Sequence, residues 1–341
     1  MIDMLHPDSL CLDRIIWAVA LLRRGKLVVF PTETVYGLGA NAFDEQACRA
    51  IFASKKRPHS NPLIVHVADL AAAERIVVFS RAARKLAEAC WPGPLTIVLP
   101  RHPDCELAPS VTAGLSTVAI RIPAHPVAAD LLERCGFPVA APSANRSGRL
   151  SPTCASHAAG PSGVKAALIL DGGECTYGLE STVVAFVQDQ PAIVRLGSLA
   201  PESIHALLPS VTISPAAQLD SSNAGTAYQA DLVPAPIAPG MAFRHYAPMV
   251  PLRINARTPD AGEVLLGFGG TEGAALDLSP SGDLAEAAHH LFDYLHRLSK
   301  LQLEQQNPAG IAVVPIPARG LGLAINDRLA RASGCVKLAK P

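Results

Sequence analysis

No stretch of this sequence stays apolar for the ~20 residues that a membrane-spanning helix needs. Net charge is missing too: 29 Lys and Arg face 29 Asp and Glu. A general polyanion binder with a basic coat is thereby disfavoured, although a local basic pocket is not. Aromatic residues are scarce, at 5%, which leaves few platforms for stacking single-stranded bases. The eight cysteines include no Cys-x-x-Cys pair. The spacing of a structural zinc site is therefore lacking, and the thiols read as small core residues. Asp3, Asp8 and Asp13 precede or open the short apolar run 15–22, which does not fit a signal peptide. These absences lead to the expectation of a soluble, cytoplasmic protein.

What is present is a core. Hydrophobic residues make up 49% of the 341 and charged ones only 17%, so the chain reads as ordered. At ~100–200 residues per domain, two domains are expected. A helical stripe runs through Ile15, Ile16, Val19 and Leu22, and a strand follows at 27–30, stopped by Pro31. Asp44 caps a helix that ends near Lys55, and 80–90 reads as another. Short apolar runs at 63–67, 95–99, 118–122, 139–141, 167–170, 182–186 and 193–195 read as strands. Helices interleaved with short strands predict a twisted α/β sheet. Thirty prolines point to a mixed sheet with irregular edges rather than a cleanly wound parallel one.

The pattern breaks between 209 and 239, where Ala, Pro, Ser and Asn replace hydrophobic periodicity. That stretch reads as a linker. Strands at 264–268 and 311–314, with helices striped by Leu284, Ala288, Leu291, Leu295 and Leu298 and then over 323–332, predict a second, smaller Rossmann-like α/β domain. The expected division is 1–208, a linker or lid at 209–248, and 249–341.

Charge is balanced overall but unevenly spread. Residues 46–68 hold four Lys or Arg, two His and no acid; residues 134–170 hold four Lys or Arg and again no acid. Two such stretches could line one anion-binding cavity or form two solvated faces. In the first, Lys55-Lys56-Arg57 offers a point charge and a planar fork suited to a polyphosphate. In the second, Pro142-Ser143-Ala144-Asn145 follows a strand, where open α/β sheets bind ligands. Taken alone, that segment would be a turn. The familiar nucleotide and hydrolase signatures are absent. There is no phosphate-binding P-loop, and the glycine pairs at Gly267/Gly269 and Gly320/Gly322 lack the third glycine of the dinucleotide fingerprint. No nucleophile elbow or His-Glu-x-x-His occurs either.

Pro31-Thr32-Glu33-Thr34-Val35-Tyr36-Gly37-Leu38-Gly39, together with Lys55-Lys56-Arg57-Pro58…Asn61-Pro62-Leu63 and Ala141-Pro142-Ser143-Ala144-Asn145, resembles the YrdC-like domain. Pro239-Gly240-Met241-Ala242-Phe243-Arg244-His245-Tyr246-Ala247-Pro248 and the segment 320–332 resemble the linker and C-terminal end of the long, two-domain threonylcarbamoyl-AMP synthases. The resemblance implies a nucleotidyltransferase reaction in which L-threonine, bicarbonate and ATP give L-threonylcarbamoyladenylate and pyrophosphate. A tRNA threonylcarbamoyl transferase complex would then modify the adenosine beside the anticodon. Mg2+ is expected on the phosphates rather than in a protein cage. Whether tRNA itself touches the chain stays open.

The same resemblance assigns residues. Arg57, Asn61, Thr117, Ser143, Ser151 and Arg195 fall where the family holds ATP, and Tyr246 where a strap closes over it. Thr34, His66, Arg121, Ala141 and Ser181 fall where it holds L-threonine. Lys55, Arg57, Ser143 and Asn145 are taken as the groups nearest the chemistry. Without the family, Arg121 reads equally as a surface strand charge, His66 as a half-buried strand histidine and Tyr246 as a packing aromatic. Two other functions compete. One is a non-catalytic RNA-binding module using the same basic cavity; the other is a carbamoyltransferase accessory of the hydrogenase-maturation kind.

Overall fold

A computed structural model of the chain describes residues 12–187, 190–214, 217, 245–305 and 308–334. The first unit opens with α1 (Leu12–Arg23), β1 (Val28–Phe30), β2 (Gly37–Asn41), α2 (Glu45–Lys55), β3 (Ile64–His66), α3 (Leu70–Glu74) and α4 (Arg81–Cys90). It continues with β4 (Leu95–Pro100), α5 (Pro109–Thr112), β5 (Thr117–Arg121), α6 (Pro126–Cys135), β6 (Val139–Ala140) and α7 (Ala155–Ala159). It closes with β7 (Leu168–Ile169), β8 (Thr182–Val187), β9 (Gln190–Arg195), α8 (Pro201–Leu207) and β10 (Thr212–Ile213). The second unit comprises β11 (Leu252–Arg253), β12 (Val264–Gly267), β13 (Leu276–Asp277), α9 (Leu284–Leu303), β14 (Ile311–Val313) and α10 (Leu321–Ser333).

The first sheet is mixed, as the prolines and short strands predict, and runs β10-β9-β8-β4-β5-β3-β6-β2-β1-β7. Its second strand was not anticipated. Gly37-Leu38-Gly39-Ala40-Asn41 has little strand propensity, yet it is hydrogen-bonded between β1 and β6. Pairing on both edges overrides composition there. A Cβ at Gly39 would stand 2.9 Å from both the Phe30 ring and Val139 Cγ1, so only glycine lets the strand lie this close. β10 pairs with β9 and carries the first sheet past the boundary expected at 208. A two-residue strand leaves no periodicity to read.

Helix ends follow local chemistry. Asp44 caps α2 by accepting from the Ala47 N–H at 3.0 Å. The helix stops at Lys56, which adopts a left-handed conformation with φ 53°. That turn releases Arg57 from the helix and leaves Lys55 on its buried face beside Ile51 and Phe52. The helix α6, not predicted from the sequence, starts on Pro126 and ends on left-handed Gly136.

The second sheet is parallel throughout, in the order β11-β14-β12-β13, with α9 and α10 beside it, a small Rossmann-like unit as expected. It is not tethered loosely. One apolar cluster runs from Val65, Leu179 and Leu196 through Tyr246 to Leu291, Phe292 and Ile325, so the two units share a core. Most of the linker stretch, including Arg244, lies outside the described residues.

The units abut at Gly178, whose φ is +69° and where an added Cβ would lie 2.2 Å from the His289 carbonyl oxygen of α9. Neither a left-handed backbone nor a main-chain wall can yield to a side chain. Gly178→Ala is expected to destabilise the protein by at least ~1–3 kcal/mol, read as a lowered urea midpoint; an unchanged midpoint would show that the units do not abut there.

Candidate active site

One cavity gathers residues from the strand ends of the first sheet. Arg57, Ser143, Arg195, His245 and Tyr246 line it together with Thr34, His66, Arg121, Ala141 and Ser181. Ten residues singled out in the sequence or its linker motif therefore meet. The two acid-free stretches become neighbouring walls of one cavity rather than separate solvated faces.

Lys55 makes that junction. Its ammonium, 2% exposed, donates to the Ser143 carbonyl at 2.5 Å and also to the Asn145 carbonyl. Burial, and then the Arg57 charge, hold its pKa well below the ordinary lysine range. Lys55 thus sits behind the cavity wall and ties the end of α2 to the loop after β6. Asn145 lies behind it too, donating to the Arg146 and Arg149 carbonyls at 2.9 and 2.8 Å. Neither is a lining residue.

Arg57 is buried and braced by carbonyls, with Nε to Asn61 O at 3.1 Å and Nη2 to Pro62 O at 2.8 Å. Burial first, and the nearby Arg195 guanidinium second, push it down to about 9. Arg195 is lowered in the same way, burial again leading; it is held against Ser181, with Nη2 donating to its carbonyl at 2.7 Å and to its Oγ at 3.0 Å. Two guanidiniums whose charged forms are disfavoured by burial form a place where an anion is favoured. The lining contains one carboxylate among the described residues, Glu180, and it is committed: Oε1 accepts from Ser151 Oγ at 2.5 Å and Oε2 from Arg328 Nε at 2.8 Å. Burial opposes its ionisation, yet Arg328 and then Arg195 hold the carboxyl below its ordinary range.

Arg121, also in the lining, stands at the end of β5. It is not a surface charge. Nη2 donates to Glu33 Oε1 at 2.6 Å, Nη1 to Thr34 Oγ1 at 2.8 Å and Nε to the Gly93 carbonyl at 3.2 Å. These bonds use three of its five N–H donors, and they fix the plane of the fork. Thr32 Oγ1 donates to Val35 O at 2.6 Å, so Thr34 Oγ1 is the donor in the 2.8 Å contact between the two hydroxyls. A lone pair on Thr34 then accepts from Arg121. His66 is neutral: burial, then Arg121, push it down to about 3. Its Nδ1 is buried without a partner, as are Asn61 Oδ1, Asn145 Oδ1, His245 Nδ1 and Glu33 Oε2. Of these, His66 and His245 line the cavity, and an orphaned polar atom there marks a group that a ligand or water completes.

The structure does not bring every expected residue to the lining. Asn61 and Ser151 stand just behind it, through Arg57 and Glu180 respectively. Thr117 is set apart at the opposite end of β5 from Arg121; four residues of strand put roughly 13 Å between them. Glu33, Tyr36 and Glu180 were not picked out as site residues. Glu33 and Tyr36 lie inside the quoted 31–39 motif and Glu180 is adjacent to Ser181, so neighbourhood was the available signal. From the strap, Tyr246 is 1% exposed, and Ala247 N–H bonds the Gly148 carbonyl at 2.8 Å.

Comparison with known proteins gives the following. Residues 20–197 match the family described as "Telomere recombination" (Sua5, YciO and YrdC), and residues 201–334 match "Threonylcarbamoyl-AMP synthase, C-terminal domain". The chain is 40% identical to the threonylcarbamoyl-AMP synthase of Pyrococcus abyssi, covering 93% of each. It is 39% identical to that of Bacillus subtilis, covering 93% of this chain and 92% of the relative. Its fold is similar to the crystal structure of P. abyssi Sua5 complexed with L-threonine, with a TM-score of 0.81 and 36% identity over 94% of each chain.

Burial of neutral histidines makes the fold acid-sensitive. His66, His245 and His296 are each pushed by burial to about 3, whereas an unfolded histidine titrates near ~6.5. The unfolded chain binds more protons between those values, so stability falls as pH drops from about 6.5 toward 3. His157, raised to about 9 against the pull of burial by Asp293 and Cys154, is protonated in both states below pH ~6.5 and offsets nothing there. His66→Gln should flatten the pH dependence of unfolding free energy between pH 6 and 4 by up to ~1.4 kcal/mol per pH unit, measured by urea titration. Equal slopes in wild type and variant would mean that His66 carries a proton in the native state.

Proposed function

Because the chain belongs to the threonylcarbamoyl-AMP synthase family, carrying both the YrdC-like and the C-terminal domains of its long form, we propose the following account of its site. The chain converts L-threonine, bicarbonate and ATP into L-threonylcarbamoyladenylate and pyrophosphate. The observation that carries this reading is one cavity lined by three buried arginines with different partners. Arg57 and Arg195, both lowered chiefly by burial, suit the phosphates of ATP. Arg121, held flat by Glu33, Thr34 and Gly93, suits the single carboxylate of threonine.

The chemistry asks for positioning rather than a protein nucleophile. The amine of threonine and CO2 from bicarbonate form a carbamate. Its oxygen attacks the α-phosphorus, the bond to the β-phosphate oxygen breaks, and pyrophosphate departs with the electron pair. Holding carbamate and triphosphate in line, and neutralising the charge that moves to pyrophosphate, are what the cavity supplies. Thr34, His66, Ala141 and Ser181 surround the threonine. Neutral His66 adds no charge near the amine. Ser143 and Arg57 face the phosphates, with Asn61, Ser151, Arg195 and Tyr246 completing the nucleotide side. Lys55 and Asn145 support the wall. Thr117 rests on the family resemblance alone. Mg2+ would come on the ATP phosphates and be held by them, since Glu180 is already engaged. His245 and Tyr246 close over the cavity as a strap, keeping water from a hydrolysable mixed anhydride. A tRNA threonylcarbamoyl transferase complex would consume the product. No helix among the described residues is long and apolar enough to cross a membrane.

The family membership favours this catalytic reading over the RNA-binding module. Release of pyrophosphate from ATP that requires both L-threonine and bicarbonate tests it; release independent of threonine would refute it. Arg57→Ala is expected to lower the rate of adenylate formation ~10²–10³-fold, as for a lost oxyanion donor. Near-normal turnover in a folded variant would remove Arg57 from the phosphates. Arg121→Ala should weaken L-threonine binding far more than ATP binding in calorimetric titrations, and equal losses would assign Arg121 to folding.

A further inference from the structure

The largest fully buried side chain in the described structure is an arginine from the second unit. Arg328, on α10, reaches into the first unit. Its Nε meets Glu180 Oε2 at 2.8 Å, its Nη2 meets the Leu196 carbonyl at 2.7 Å, and its guanidinium lies 4.9 Å from the centre of the Tyr246 ring. Asp327 Oδ2 accepts from its Nη1 at 2.5 Å, and Arg331 donates to the other oxygen of that carboxylate at 2.9 Å. A buried ion pair is a poor source of stability compared with apolar packing. Its place against the one cavity carboxylate therefore needs another reason.

We propose that Arg328 is a positioning residue for the nucleotide, supplied by the C-terminal domain, which acts through Glu180 to set the direction of the Ser151 hydroxyl. A serine hydroxyl has one hydrogen to give. Ser151, fully buried just behind the lining, gives it to Glu180 at 2.5 Å, so only its lone pairs are left for a further partner. In that state Ser151 can accept from a nucleoside hydroxyl or amino group but cannot donate to a phosphate oxygen. The arrangement lasts while Glu180 remains a fixed carboxylate, and the bonded guanidinium of Arg328 fixes it. The same domain holds Ser151 from its other side: His296 of α9 lies 3.2 Å from the Ser151 carbonyl through Nε2. Tyr246, stacked against Arg328, has φ 63°, a left-handed backbone that a side chain adopts only when its surroundings hold it. Among the described residues, the C-terminal domain thus reaches the cavity through Glu180 and Tyr246, whereas the hydrogen bonds of Arg121 go to Glu33, Thr34 and Gly93 of the first unit.

This inference rests on the assignment of Ser151 to ATP. It is tested in the full-length chain by the KM for ATP and the KM for L-threonine. Arg328→Gln should raise the ATP KM by ~10–100-fold, the scale of a hydrogen bond to a charged group, with the threonine KM nearly unchanged. In a Glu180→Gln background the same substitution should add little to the ATP KM. Equal rises in both KM values, or full additivity with Glu180→Gln, would overturn the proposal and leave Arg328 a folding residue. Ser151→Ala separates the two assignments. If it raises the ATP KM while Arg328→Gln does not, the Arg328 proposal fails alone; if it changes nothing, the Ser151 assignment fails and the proposal with it. Should Arg328→Gln not fold, Arg328→Lys keeps the charge without the fork. It should give an intermediate ATP KM, and a wild-type value would refute the proposal.

Discussion

A buried ammonium holds two segments of the cavity wall together. Lys55 ends α2, and its charge is met by the carbonyls of Ser143 and Asn145. Taking a lysine out of water is costly, and the structure offsets that cost with main-chain dipoles that must then stay where they are. Two segments almost ninety residues apart in sequence become one rigid corner. The left-handed turn at Lys56 then aims Arg57 into the cavity, and the strand-end loop presents Ser143 beside it. The basic residues are not equivalent. One braces the wall, one faces the ligand, and Lys56 turns the chain.

In the proposed function the cavity would tell its two anionic ligands apart by how each arginine is partnered. Arg57 and Arg195 are braced by neutral carbonyls and a hydroxyl, which on the proposed reading suits a polyphosphate. Arg121 is half neutralised by Glu33 and geometrically locked, which fits a single planar carboxylate. A reaction that joins a carbamate to a phosphorus needs both in one place with water excluded, and little else from the protein. The second unit is part of this arrangement, since its Arg328 and His296 reach residues of the cavity wall.

Much of this was legible in the sequence, for physical reasons. Helix α2 announced itself by the Asp44 cap and its apolar stripe. Most long strands announced themselves as β-branched runs, and the basic stretches by their lack of acids. β2 was not legible, because Gly37–Asn41 becomes a strand only through neighbours on both edges. Nor were the partners of Arg121 and Glu180. Glu33 and Arg121 are far apart in sequence, as are Glu180 and Arg328, and no spacing rule joins them. The roles of Lys55 and Asn145 were blurred for a related reason. Their positions in the motifs were plain, but whether a side chain faces the ligand or the wall depends on which carbonyls lie behind it.

The claim that Lys55 organises the nucleotide wall without shaping the threonine wall can be measured directly. Calorimetric titration of Lys55→Met with ATP and with L-threonine is the test. The account predicts that ATP affinity falls by at least ~10-fold, the scale of losing a charged hydrogen-bond donor, while L-threonine affinity stays close to wild type because Glu33, Thr34 and Gly93 still hold Arg121. Unchanged ATP affinity, or a parallel loss for both ligands, would contradict it.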